Sequence, residues 1–354
     1  MHYTNLFLII SIICFFNFKS HAQSKDSLLL YYNLIEKAEE EIVLGNNINA
    51  DSLYQKAFLF NRKPFAKHIK NAINNHLILN KKNQEVILAY LTLVQIIENK
   101  SIENIIDDDK KLQKLKTYTD WVNIKNFLSN TFEKKNDSLT NRIIYLLELD
   151  QQIRNKAFAL YGNNFYKSPL ALEIENQDIK NQNELLEIFN SNKKCEIIMT
   201  SDVVLSIYVI TLHNLALGRD TLLHTLKNEV FKGNFDAYEY AKLSDMRFDY
   251  GSFNHKQIEN FGTTKALIFG DYFIILENAN EKEFINKCRK EIFLSDYLNA
   301  LERSSWIFLN RKKDLFSFSH GFNVFGNSNE EALEILKKFK HDNINLVLYK
   351  SVWV

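Results

Sequence analysis

The sequence predicts a mainly α protein: a stack of helical repeats at the N-terminus, then an α-rich domain holding a β-hairpin, then a small α+β layer at the C-terminus. Three observations carry this expectation. The 354 residues include only two prolines and nine glycines, so few positions break a helix. Residues 28–98 repeat themselves with a helix-pair period. After residue 303 the apolar residues change from helical spacing to alternation.

Residues 1–22 read as a signal peptide. Leu6 to Phe16 is an apolar run too short to span a bilayer comfortably, and Ser20 and Ala22 are small residues where a signal peptidase cleaves. Cleavage before Gln23 would send the mature chain to the periplasm or out of the cell. It would also remove Lys19 from a chain of formal charge +1, leaving it neutral. A neutral balance without a basic block gives no footprint for nucleic acid, and no later run has the length of an integral membrane segment. Cys195 and Cys288 remain, able to stay reduced in the core or to form one disulfide.

Residues 23–136 form the expected repeat region. Tyr31, Ile35 and Ala38 recur 34 positions later as Phe65, Ile69 and Ala72, and Tyr54 and Ala57 fall opposite Leu88 and Leu91. Ala50, Tyr54 and Ala57 give the second helix small, aromatic, small spacing, which lets paired helices approach closely. This pattern resembles the tetratricopeptide repeat, although the Trp-Leu-Gly signature is missing. The resemblance implies a surface for a protein or peptide partner. Residues 101–132, with Leu112, Leu115, Trp121, Phe127 and Leu128, are expected to add a closing helical pair. Asp107-Asp108-Asp109-Lys110-Lys111 reads as a solvated helix start, because consecutive acids point apart on a helix and make a poor metal site.

The polar stretch 133–137 marks a boundary, and 137–302 is expected to be the α-rich domain. Helices are predicted at 138–161, through 181–189, across the apolar run 203–217 that Gly218 ends, and at 220–231 and 235–247. Residues 266–269 and 272–276 flank Gly270-Asp271, a permissive hairpin turn, and Asn280 with Glu283 opens a helix to about Glu291. In the 303–354 extension, Trp306–Leu309 and Leu315–Phe318 read as strands. Ser328 with Glu331 caps a helix to Lys340, and Ile344–Tyr349 reads as a closing strand.

Five polar residues stand inside otherwise apolar helical patterns: Asp150, Arg154, His213, Asp245 and Arg247. His213 is the natural acid/base group, since imidazole titrates near neutral pH, and Asp150 or Asp245 has the chemistry to orient it. Arg154 and Arg247 suit an anionic group, with Gly262-Thr263 offering an amide and a hydroxyl. Together they would serve a hydrolase or a group transferase on an anionic substrate. No nucleophile elbow, phosphate-cradling glycine loop or cofactor motif accompanies them. No histidine pair has metal-ligand spacing on one helix, so no metal is expected. The same residues also fit a buried Asp-Arg-His network that keeps helices in register.

Asp150-Gln151-Gln152-Ile153-Arg154, His213, Asp245-Met246-Arg247, Phe261-Gly262-Thr263 and Arg289 to Tyr297 follow one another in an order that resembles an uncharacterised bacterial domain family, often exported. Its landmarks are a D-Q-x-x-R helix, a histidine in an apolar helix, a D-R pair and an aromatic-G-T turn. Here one Met separates Asp245 from Arg247, and Phe261 stands where the family has Tyr. The resemblance implies a shared domain and no particular activity. A protein- or peptide-binding module of the cell envelope is therefore the first expectation and an envelope enzyme the second.

Overall fold

A computed structural model describes residues 24–61, 63–79, 84–118, 120–135, 137–191, 197, 199–246, 261–263, 266–269, 272–277, 279–309, 316, 323–324 and 345–350. The expected signal peptide, the Leu315–Phe318 strand apart from Phe316 and the 328–340 helix lie outside these residues, as do Cys195 and Arg247. The protein is mainly α, and no described helix is long and apolar enough to cross a membrane.

Contacts divide the chain into two compact units. One comprises Met1–Ile96, Lys100–Phe132 and Ile258–Val354; the other comprises Ile97–Asn99 and Glu133–Gln257. The expected domain of residues 137–302 is thus cut near residue 257, and its closing helices belong with the N-terminal repeats. The physical reason is that residues 293–303 share unlike charges and apolar surface with residues 32–40.

In the first unit, α1 (Lys25–Val43) and α2 (Asn47–Phe60) form a tight antiparallel pair, followed by α3 (Ala66–Ile78) and α4 (Gln84–Glu98). Ser24 caps α1 by accepting from the Ser27 amide. Tyr31, Ile35 and Ala38 of α1, Ala50, Tyr54 and Ala57 of α2, and Ile69 and Ala72 of α3 are all buried, as the 34-residue spacing requires. The register then slips. Leu88 is only half-buried while Tyr90 packs inward, its ring meeting Phe58 at 5.7 Å.

The expected closing pair is broken. A short α5 (Ile102–Asp108) and a 3-10 helix (Lys110–Thr117) replace its first member before α6 (Trp121–Thr131). Asp107 and Asp108 therefore end a helix instead of starting one, and Asp109 caps the 3-10 turn by accepting from the Lys111 amide. Each acid faces a separate lysine: Asp107 meets Lys116 at 2.7 Å, Asp108 meets Lys100 at 3.0 Å and Asp109 meets Lys70 at 3.4 Å. Phe127, expected inside, is exposed.

Residues 279–309 fold as α12 (Ala279–Glu291) and α13 (Tyr297–Leu309), so the predicted strand Trp306–Leu309 is the end of a helix. Its aromatic and branched residues favour a strand locally, but α13 packs against α1, and that contact holds it helical. Phe293 stacks on Tyr32 with ring centroids 5.9 Å apart. Arg303, 1% exposed, lies 3.4 Å from Glu36, 3.4 Å from Glu39 and 3.2 Å from Glu40, all on α1. Backbone strands also pair here: β1 (Ala266–Phe269) with β2 (Tyr272–Glu277) antiparallel, β1 with β3 (Asn323–Val324) parallel, and β2 with β4 (Asn345–Lys350) antiparallel.

The second unit is built from α7 (Ser138–Tyr161), α8 (Ala171–Asn190), α9 (Ser201–Ala216), α10 (Thr221–Phe231) and α11 (Ala237–Met246). Asp137 and Thr200 cap α7 and α9 through side-chain oxygens. Gly218, at φ +73°, ends the run after α9 in the left-handed conformation, and the Arg219 amide returns to the Asn214 carbonyl. Val203, Ile207 and Ile210 bury one face of α9 against α7 and α8.

Candidate functional site

α7, α8 and α9 bring four charged or titratable side chains together. Asp150 and Arg154 lie one turn apart on α7, His213 comes from α9, and the fourth is Asp178 of α8, which the sequence reading missed. A signal for it existed. Ile174, Asp178, Asn181, Leu185 and Ile188 follow the i, i+4, i+7, i+11, i+14 pattern of a buried helix face, and all five are buried. Asp178 and Asn181 are thus polar residues in core positions.

Arg154 is held chiefly by Asp178, not by its helix neighbour. Its Nη2 donates to both carboxylate oxygens of Asp178, at 2.7 and 2.8 Å, while its Nε is 3.4 Å from Asp150 Oδ2. His213 Nδ1 is 3.0 Å from Asp150 Oδ1 and 3.2 Å from Arg154 Nε. One ring nitrogen cannot accept from the guanidinium and donate to the carboxylate in the same tautomer. With the proton on Nδ1 it donates to Asp150, Arg154 Nε turns to Asp150 Oδ2, and Nε2 remains as the basic nitrogen. Gln151 Nε2 donates to Asp150 Oδ2 at 2.7 Å, and Asn214 Nδ2 donates to the Asp178 carbonyl at 3.1 Å.

The two carboxyl groups, 1% and 4% exposed, are tuned apart. Burial pushes Asp178 up to about 6, with the Asp150 charge adding to it and Arg154 opposing. Burial also raises Asp150, but the hydrogen bond and charge of His213, together with Arg154, outweigh it and hold that carboxyl below its ordinary value. Two neighbouring acids behave in this way because both cannot ionise cheaply in a low-dielectric site. Against one guanidinium, two ionised carboxylates would leave an excess of one negative charge.

Ligand atoms of Asp150, Asp178 and His213 lie within 4.8 Å of one another, close enough to surround a cation. The guanidinium already bonded to Asp178 occupies the place of the positive charge, so this donor set does not favour a metal ion. A shallow recess runs along α8, lined by Asn176, Ile179, Lys180, Asn183, Glu184 and Glu187, and none of the four gathered residues lines it.

The remaining expected site residues stand elsewhere. Asp245 is fully buried on α11 and is not among the residues whose ligand atoms gather. Thr263 belongs to the first unit, where the Phe261–Thr263 turn is held by Arg289: its Nη1 donates to the Phe261 carbonyl at 2.9 Å. Gly262, at φ +68°, leaves room for the Tyr297 ring, which an added Cβ would meet at 2.6 Å. That turn is a packing device of α12 and α13.

Comparison with protein-family models, with curated proteins and with solved structures found no match, so no activity comes to this chain from a relative.

Proposed function

We propose that this is an exported protein whose N-terminal helical repeats bind a protein or peptide partner in the cell envelope. One observation carries the reading. The face of α1 bearing Tyr32, Glu36 and Glu40 is already covered by the chain's own residues 293–303, whereas the outer face of α2 stays open among the described residues. That face presents Ile48, Ser52, Gln55 and Leu59 at helical spacing, an uncharged stripe. Leu44, Ile48 and Leu59 are 65–75% exposed, which is unusual for side chains of this size on a face with no other task. Affinity capture from envelope extract tests it. The full chain should retain a partner that the Ile48→Lys/Leu59→Lys variant loses at unchanged thermal midpoint; equal retention by both would remove the outer face of α2 from the reading.

A second reading, an envelope hydrolase or group transferase using His213 with Asp150, rests on the 3.0 Å contact between those two. It requires Arg154 to leave Asp178 in order to hold an anionic substrate. Calorimetric titration with inorganic phosphate tests the enzyme reading against a purely structural Asp-Arg-His network. Binding that Arg154→Gln abolishes would favour the enzyme, and absence of heat would favour the structural network.

A further inference from the structure

We propose that the tip joining α7 to α8 docks onto a bilayer surface bearing anionic headgroups. α7 ends at Tyr161, Gly162 turns the chain at φ +56°, and a 3-10 helix (Gly162–Lys167) leads towards α8 without burying a single residue. Around this turn Phe158, Leu160, Tyr161, Tyr166 and Leu172 are 41–69% exposed, and the Phe165 and Tyr166 rings lie 3.8 Å apart. Five large apolar or aromatic side chains around one turn are thus left exposed by their own unit.

Charge identifies the occupant. From Gln151 to Leu172 the chain contains Arg154, Lys156 and Lys167 and no acid at all. Arg154 is engaged by Asp178, whereas Lys156 and Lys167 are exposed on either side of the turn. Beyond the tip the exposed Glu173 follows Leu172 and offsets one of the two lysines, while Arg219 and Glu175 pair with each other at 3.2 Å, so the surplus around the turn is one positive charge. Tyrosine and phenylalanine beside lysine is the composition that sits well at headgroup level, the rings entering the interface while the ammonium groups meet lipid phosphate. An exposed turn enters such an interface without the broad complementary surface that a protein partner needs. The whole-chain balance near neutrality hides this local excess, because acids and bases elsewhere cancel.

Co-sedimentation of the full chain with phosphatidylcholine vesicles containing about a quarter phosphatidylglycerol tests the proposal. Binding should exceed that to phosphatidylcholine alone and fall at high salt. Lys156→Glu/Lys167→Glu should lower the partition coefficient by about tenfold or more, as should Tyr161→Ser/Tyr166→Ser. A Tyr166→Trp variant separates the tip from the apolar run Leu6–Phe16: its emission, less that of the parent chain, should shift to the blue when vesicles are added. No shift, or equal binding by all variants, overturns the proposal. Self-association without vesicles that the Tyr161→Ser/Tyr166→Ser variant abolishes would overturn it too, by assigning the tip to a second copy of the chain.

Discussion

Replacing Arg154 by alanine removes the cation from a site where two carboxylates have almost no access to water. The side chains of Arg154, Asp150 and Asp178 are 13%, 1% and 5% exposed, so solvent screening does little to soften the loss. Breaking such a buried pair by deleting one partner costs about 3–5 kcal/mol near neutral pH. In a unit of this size that corresponds to a fall in thermal midpoint of roughly 10–20 °C. The cost should depend on pH. Asp178 stands at about 6 even with Arg154 present, so in mild acid it is protonated and the ion pair is already weakened. Urea denaturation followed by circular dichroism should therefore show a smaller loss near pH 5 than near pH 7.5. Removing Asp178 as well should restore part of the loss, since a buried unpaired charge goes with it. A loss below about 1 kcal/mol at both pH values would refute the reasoning. It would mean that Arg154 is not a structural ion and is available to a ligand.

Other consequences follow from the same geometry. A carboxyl raised in the folded state binds its proton more tightly there than in the unfolded chain. Its stabilisation is complete below the ordinary carboxylate value and disappears as pH rises through about 6, a difference of about 3 kcal/mol. Asp178→Asn should flatten that fall, read as urea midpoints between about pH 4 and 7. Arg303→Met, which keeps the stem and deletes the charge between Glu36 and Glu39, should cost about 3–5 kcal/mol by the same measurement, and Arg303→Lys less. Gly262→Ala should destabilise by about 1–3 kcal/mol, because the new Cβ meets Tyr297 and the backbone stays at positive φ. Trimming the ring with Tyr297→Leu in the same chain should recover part of that loss; full cost in both backgrounds would show that backbone strain alone decides it.

Local physics made much of the fold readable from the sequence. Breaker-poor apolar spacing marked α7, α9, α10 and α11 to within a few residues, and Gly218 marked the end of the run after α9. The 34-residue recurrence picked out Tyr31, Ile35, Ala38, Ile69 and Ala72 as core, because a stacked helix pair must bury the same face each time. Asp150 and Arg154 shared a helix face by spacing alone. Tertiary structure decided the rest, and in each case through partners distant in the chain. Spacing marks Asp178 as lying on a buried helix face, but only the packing of three helices places it against Arg154. The strand-like Trp306–Leu309 is helical because α13 packs on α1, with Arg303 between glutamates more than 260 residues earlier. Gly262 is needed because the Tyr297 ring packs against it, and His213 finds Asp150 across two helices; neither partner is legible from the order of landmarks. A sequence records which side chains need a buried partner, but only the packed chain determines which partner each one finds.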